Sequence, residues 1–181
     1  MKNRHLRKTV QAALFAALTC IATMLIQIPV PSTGGYLNLG DAVILLGALL
    51  LGPAYGFAAG GLGSMLADLL SGYAQYAPGT LVVKGLCALV AALLWKKLSA
   101  VFPRTPVAAL AAACASAELV MVFGYFVYEA FLLGYGIAAI AAVPGNLIQG
   151  AAGVILAVPL FWQLNSRLIS APQSCSRGIL L

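Results

Sequence analysis

The sequence predicts an all-α integral membrane protein, a six-transmembrane-helix bundle with both termini cytoplasmic. Three observations predict it. Of 181 residues, 62% are hydrophobic and 8% charged, with mean hydropathy +1.01, whereas a soluble domain carries roughly 25% charged residues. Breaker residues cut the apolar chain into six segments, each near the ~20 residues that cross a ~30 Å hydrocarbon core, or shorter where other protein surrounds the helix. Nine of the ten basic residues lie in the tails or in one internal link. No polar stretch is long enough for a separate soluble domain, so residues 1–168 read as one membrane domain and 169–181 as a loosely ordered tail.

Helix 1 is expected over about 9–28, ended by Pro29 and Pro31, with Pro31–Gly35 as a loop. Lys2, Arg4, Arg7 and Lys8 before an apolar run imitate a signal peptide, but no small-residue cleavage site precedes Pro29, so the run reads as a first membrane helix. Helix 2 is short, about 38–51, and Gly52-Pro53 turns the chain into helix 3, about 54–71. Residues 72–79 form a second loop, closed by Pro78-Gly79, before helix 4 at about 80–98. After the basic link 96–106, helix 5 spans about 107–128. Gly134 and Gly136 interrupt the next stretch, and Pro144-Gly145 precede helix 6 at about 146–164.

Six crossings place Lys96, Lys97, Arg104, Arg167 and Arg177 on the same side as the basic N-terminus, while the loops 29–37, 72–79 and 129–145 hold no Lys or Arg. That is the positive-inside pattern, so the termini face the cytoplasm and these loops face out. The formal charge of +6 is thereby a topology signal, and no nucleic-acid partner is expected. Cys20, Cys87, Cys114 and Cys175 show no CxxC or Cys/His spacing, and the lone His5 sits in the basic tail. Neither a metal site nor a cofactor is expected.

All four acids, Asp41, Asp68, Glu118 and Glu129, fall in or beside apolar segments. An ionised group at a bilayer centre costs at least ~2.5–3.5 kcal/mol on insertion scales, so such residues are paired or functional. Asp41 starts helix 2, Asp68 is near the end of helix 3, Lys84 is one turn into helix 4, Tyr125 and Glu129 end helix 5, and Asn146 and Gln149 open helix 6. All except the mid-helix Glu118 share the outer half of the bundle. Glu118, Val122, Tyr125 and Glu129 follow i, i+4, i+7, i+11 and share one face. The outer loops add Tyr36, Asn38, Tyr73, Gln75 and Tyr76. Aromatic walls with a few convergent polar groups suit a small planar ligand.

Each signal has a plainer alternative. Lys84 pairs structurally with Asp68, or with Glu129, or meets the ligand. Asp41 reads mainly as the N-cap of helix 2. Tyr73 and Tyr76 also suit an interfacial aromatic belt. Glu118 and Glu129 carry the strongest expectation of ligand contact. Ala12, Ala13, Ala16 and Ala17 put two alanine pairs at spacing four on helix 1, and Gly56, Gly60 and Gly63 form a similar face on helix 3. Such faces admit a close helix; helix 1 is read as a docking face for a partner membrane protein, helix 3 as internal packing.

The runs Tyr36-Leu-Asn-Leu-Gly-Asp-Ala, Leu-Leu-Gly-Pro53, Gly60-Gly-Leu-Gly-Ser-Met-Leu-Ala-Asp68, Gly72-Tyr and Tyr76-Ala-Pro-Gly-Thr-Leu-Val-Val-Lys84-Gly resemble one family. It is that of the substrate-binding S components of energy-coupling factor (ECF) vitamin transporters, near the riboflavin-type and hydroxymethylpyrimidine/pyridoxine-type group. The match is densest over 36–85, and 106–181 match by pattern. The resemblance implies a multi-pass protein of the prokaryotic cell membrane that captures a vitamin or precursor outside, beneath the loops after helices 1 and 3. It further implies docking through Ala12, Ala13, Ala16 and Ala17 onto a transmembrane coupling protein, driven by two cytoplasmic ATPases. No Gly-x-x-x-x-Gly-Lys-[Ser/Thr] loop occurs, in keeping with hydrolysis by partners.

Carboxylates between aromatic faces suit an aminopyrimidine or pyridine ring better than a flavin. A thiamine-precursor pyrimidine or vitamin B6 form is thus expected, with riboflavin the alternative. An intramembrane enzyme using Ser64, Asp68 and Lys84 would need a nucleophile–base contact that no spacing signals. A self-contained secondary transporter would be expected to show an inverted repeat, and halves 1–95 and 96–181 share no motif.

Overall fold

The computed structural model describes residues 2–30 and 34–170, with side chains for 3–30 and 34–165. Pro31, Ser32 and Thr33 of the first expected loop, the Arg167 side chain, and the tail from 171 with Cys175 and Arg177 lie outside the described residues. Helix α1 (Lys2–Leu25) leads into strands β1 (Gln27–Val30) and β2 (Gly35–Asn38), followed by α2 (Gly40–Leu51) and α3 (Pro53–Leu70). Helices α4 (Ala77–Val101) and α5 (Pro106–Val127) come next, then a π-helical turn (Tyr128–Leu132), a 3-10 segment (Gly136–Ala142) and α6 (Val143–Ser170).

Several boundaries differ from those expected, for local reasons. Helix 1 stops at Leu25 rather than 28, because Pro29 cannot continue a helix and drives Ile28 towards extended backbone. The freed residues form a hairpin, with Gln27 opposite Asn38 and Pro29 opposite Tyr36. The helix also begins at Lys2 rather than 9, since the Lys, Arg and Leu of the basic tail are good helix formers. Helices 4 and 6 begin at Ala77 and Val143 rather than 80 and 146. Pro78 and Pro144 sit in first turns, where a missing N–H removes no helical bond.

Four segments, Asn3–Leu25, Ala77–Val101, Pro106–Leu132 and Gly136–Asn165, are long and apolar enough to cross a membrane. The 12 residues of α2 rise only about 18 Å at 1.5 Å each. This short helix is packed by α1, α3, α4 and α6, so its ends meet protein. α3 packs on α1 and α4, and α5 on α4 and α6. The core is built of Leu45 and Ala48 from α2, Cys87 and Ala91 from α4, Cys114 and Met121 from α5, and Phe161 from α6. Outside, Leu14, Ile21, Leu66, Leu93, Phe123 and Ile155 are exposed, an apolar exterior suited to lipid.

Close approach explains the glycines of α3. A Cβ at Gly61 would lie 2.6 Å from the Leu81 carbonyl oxygen, and one at Gly63 would collide with the Ala16 carbonyl. The alanines of α1 divide. Ala12 and Ala16 pack towards Ala59 and Leu51 of the neighbouring helices, whereas Ala13 and Ala17 are exposed.

Candidate functional site

A polar cleft lies at the pole of the bundle opposite the basic residues 96, 97 and 104. It is bounded by the end of α1, the hairpin, the last turns of α3, the start of α4, the end of α5 and the start of α6. Helical spacing delivers its walls. Ser64 and Asp68 are four apart on α3, as are Thr80 and Lys84 on α4, so each pair points the same way. Tyr36 and Asn38 alternate on β2 to the same face, while Tyr76, Tyr125, Glu129, Asn146 and Gln149 complete the lining.

Beneath the cleft runs a buried network. Lys84 Nζ donates to Asp41 Oδ1 as an ion pair, with side chains only 2% and 1% exposed. Gln149 Nε2 donates to Asp41 Oδ2 at 2.6 Å, and Gln149 Oε1 accepts from the Asn38 backbone N–H at 2.8 Å. The Tyr125 ring covers the ammonium, its centroid 5.4 Å away. Asn38 Oδ1 accepts from the Gly40 N–H at 2.9 Å, so Asn38 holds the start of α2.

Two sequence expectations are corrected here. Lys84 pairs with Asp41, not with Asp68 or Glu129, and Asp41 makes no side-chain cap to α2. The short α2 presents Asp41 inward from its first turn, directly across from α4.

The upper wall is phenolic. Tyr36 OH donates to Asp68 Oδ1 at 2.6 Å, Tyr76 OH to Glu129 Oε1 at 3.2 Å, and Tyr125 OH to Thr80 Oγ1 at 3.0 Å. Burial, followed by the Asp68 carboxylate, pushes the Tyr36 phenol above its ordinary range and keeps it a donor. Tyr73 lies against Tyr36, ring centroids 4.5 Å apart, and Gln27 Nε2 donates to Ser71 Oγ at 2.9 Å, tying hairpin to α3.

Of the residues expected at the site, Tyr36, Asn38, Asp68, Tyr76, Lys84, Tyr125, Glu129, Asn146 and Gln149 line the cleft. Four do not. Asp41 lies behind Lys84, and Tyr73 backs Tyr36. Gln75 is exposed, its carbonyl accepting from Tyr128 OH at 2.7 Å. Glu118 lies deeper, against Gly150 and Gly153 of α6, with Cys87 Sγ donating to its Oε1 at 3.8 Å.

Thr23, Ser64 and Thr80 line the cleft without having been expected there as ligand contacts. The legible signal was their spacing: Thr23 lies one turn from Thr19, and the other two lie one turn from a buried charge. Thr23 Oγ1, Ser64 Oγ and Asp68 Oδ2 are buried with no hydrogen-bond partner among the described residues. Thr80 is close enough to Asp68 to interact, yet makes no bond of ordinary geometry to Oδ2. Ser64 Oγ likewise takes no bond from Lys84.

The cleft's free volume is about 30 Å³, room for one or two waters, against roughly 300–1,000 Å³ for ligand pockets. A ligand would have to displace the lining phenols. Apolar grooves between α4 and α5 and between α5 and α6 are larger, at about 530 and 380 Å³. They open on the lipid-suited exterior, and apart from Glu118 and the Tyr128 rim they offer no polar side chain, so the smaller polar cleft is the candidate site. Among the described residues, no group of three or more His, Cys, Asp or Glu is placed to hold a metal.

A family model described as "ECF-type riboflavin transporter, S component" matches residues 3–166. The chain belongs to that S-component family. At 36% identity over 148 residues, 82% of this chain and 95% of the relative, it is similar to a Pyrococcus woesei protein named "Uncharacterized protein in gap 3'region". It is 30% identical over 159 residues, 87% of each chain, to the "Thiamine precursor transporter HmpT" of Lactococcus lactis subsp. cremoris. A UPF0397 protein of Streptococcus agalactiae is 33% identical over 99 residues, 55% of this chain and 54% of the relative. As an S component the protein is a transport subunit for vitamin-type uptake, multi-pass in the prokaryotic plasma membrane, and not itself an enzyme. S components bind a small vitamin and associate with an ECF module.

Proposed function

We propose that this S component captures a small heteroaromatic vitamin or precursor, a hydroxymethylpyrimidine or a vitamin B6 form, in the polar cleft on the outer side. The observation that carries the reading is the set of buried, unpartnered polar atoms, Thr23 Oγ1, Ser64 Oγ and Asp68 Oδ2, that border one cleft. Leaving a polar group buried and unpaired costs about 1–3 kcal/mol each. Ligand hydrogen bonds would recover that cost for the two hydroxyls and the carboxylate oxygen together.

Carboxylate and hydroxyl oxygens accept from a ring amine or N–H, and Tyr36, Tyr76 and Tyr125 offer aromatic faces around a planar ring. The name of the Lactococcus relative supports a thiamine precursor. The family description supports riboflavin as the second reading. Calorimetric titration of the purified chain with hydroxymethylpyrimidine, pyridoxine and riboflavin tests the choice; tight binding of riboflavin alone refutes the small-ring reading.

The basic residues gathered at the pole away from the cleft support cytoplasmic termini, and with them an even number of crossings, read as six. Delivery then requires a transmembrane coupling protein and two cytoplasmic ATPases. Ala13 and Ala17, exposed on α1, leave a shallow face where another helix can approach, while Ala12 and Ala16 hold α1 to its own bundle.

A further inference from the structure

The vitamin reading leaves Glu118 unused, although a buried ionisable side chain midway along a membrane helix is costly and calls for a role. Glu118 is 4% exposed, and its two oxygens have different surroundings. Oε1 faces the core, where Cys87 Sγ donates to it at 3.8 Å, whereas Oε2 is buried with no hydrogen-bond partner among the described residues. A Cβ at Gly150 would lie 3.2 Å from Oε2, so this oxygen borders the side-chain space that Gly150 leaves free on α6. Glu118 and Gly150 both line the groove of about 380 Å³ between α5 and α6. The other walls are aliphatic, with Ala115, Leu119 and Val122 on α5 facing Ala151, Val154 and Ile155 on α6. Leu119 and Ile155 are exposed at its mouth, which therefore opens towards lipid.

Charge fixes what this floor can offer. Lys84 is ion-paired with Asp41, and Glu118 makes no ion pair among the described residues. A buried carboxyl without a counter-ion is held as the neutral acid. Since Oε1 already accepts from Cys87, the acid proton belongs on Oε2 and is free to donate. We propose that the groove between α5 and α6 is a second binding site, entered from the lipid phase, for a neutral amphiphile with an apolar tail and a hydroxyl or carbonyl head. Glu118 Oε2 is its polar anchor, donating to the head-group oxygen. A plain hydrocarbon would fill the groove but leave that donor unpaired, and a charged head would be stranded among aliphatic walls. The groove's volume falls within the roughly 300–1,000 Å³ of ligand pockets. Its occupant arrives by lateral diffusion and does not pass through the outer cleft.

The test uses the full chain in liposomes and dicyclohexylcarbodiimide, an apolar reagent that reaches carboxylic acids from the lipid phase. The acid O–H adds across one C=N bond, the oxygen joining the central carbon and the proton moving to nitrogen, and an acyl shift leaves a stable N-acylurea. Mass spectrometry is expected to find one adduct, at Glu118, that is missing from Glu118→Gln. Ala151→Phe, which fills the groove from an exposed position of α6, should abolish labelling while leaving the melting temperature unchanged; Ala115→Phe makes the same comparison from α5 if the first variant does not fold. At equal mole fraction in the bilayer, dodecanol should protect Glu118 about threefold to tenfold better than dodecane, the worth of one neutral hydrogen bond. An unlabelled Glu118 in the folded parent overturns the inference, as does labelling that persists in a folded groove-filled variant. Equal protection by dodecanol and dodecane removes Glu118 as the anchor and overturns it too. None of these residues lines the outer cleft, so failure here leaves the vitamin reading standing.

Discussion

Replacing Lys84 with Met should unfold the bundle far more readily than its conservative shape suggests. Lys84 and Asp41 are 2% and 1% exposed, so the substitution leaves a carboxylate buried with Gln149 Nε2 as its remaining partner at 2.6 Å. Removing one partner of a buried pair costs about 3–5 kcal/mol. With about 2–4 °C per kcal/mol for a chain of this size, the melting temperature should fall by about 6–20 °C. The double variant Asp41→Leu with Lys84→Met removes both charges and should recover most of that loss, because apolar replacement of a whole buried pair is often neutral or stabilising. Thermal unfolding of the detergent-purified protein, followed by intrinsic fluorescence, measures both. A double variant as unstable as the single would refute the pairing argument, as would a single variant within about 2 °C of the parent.

Tyr36→Phe removes a 2.6 Å bond to Asp68, and should lower stability by about 1.5–3 kcal/mol, as for a hydrogen bond to a charged group; thermal unfolding reads it. Because burial and then the Asp68 carboxylate raise the phenol's folded-state pKa above its ordinary range, its contribution to stability is complete below that range and fades as pH climbs beyond it. The parent should therefore lose stability above pH ~10 more steeply than Tyr36→Phe, and parallel pH–melting curves would contradict this. Gly61→Leu should cost at least about 1–3 kcal/mol by forcing α3 from the Leu81 carbonyl, and a normal melting temperature would refute the close approach. Trp at exposed Ala13 or Ala17 should leave melting and binding unchanged yet block ATP-driven uptake in vesicles holding the ECF module. Unimpaired uptake would remove that face from docking.

Hydropathy, breakers and basic residues made much of the architecture legible, since each is a local or one-dimensional property. Asp68, Tyr76, Tyr125 and Glu129 could be assigned to one pole because depth along a helix follows from counting residues. The hairpin was missed because the apolar run to Ile28 resembles a helix until Pro29 is allowed its effect on the preceding residues. Glu118 shares a helix face with Tyr125, as its spacing requires, yet seven residues put it about 10 Å deeper. A helix face can enter a cleft with its last two turns only, and the deeper carboxylate meets Gly150 and Gly153 instead.

The sequence by itself determined that this is a membrane bundle of the S-component family and which pole is polar. Only the tertiary structure decided how those residues combine: Lys84 with Asp41, Asn38 rather than Asp41 holding the start of α2, and Thr23, Ser64 and Asp68 left with unpartnered oxygens around one cleft. The physical reason is that several carboxylates stand at similar depth on different helices. Helical periodicity sets the direction of a side chain on its own axis, but the partner it meets depends on the order, rotation and separation of the axes around it.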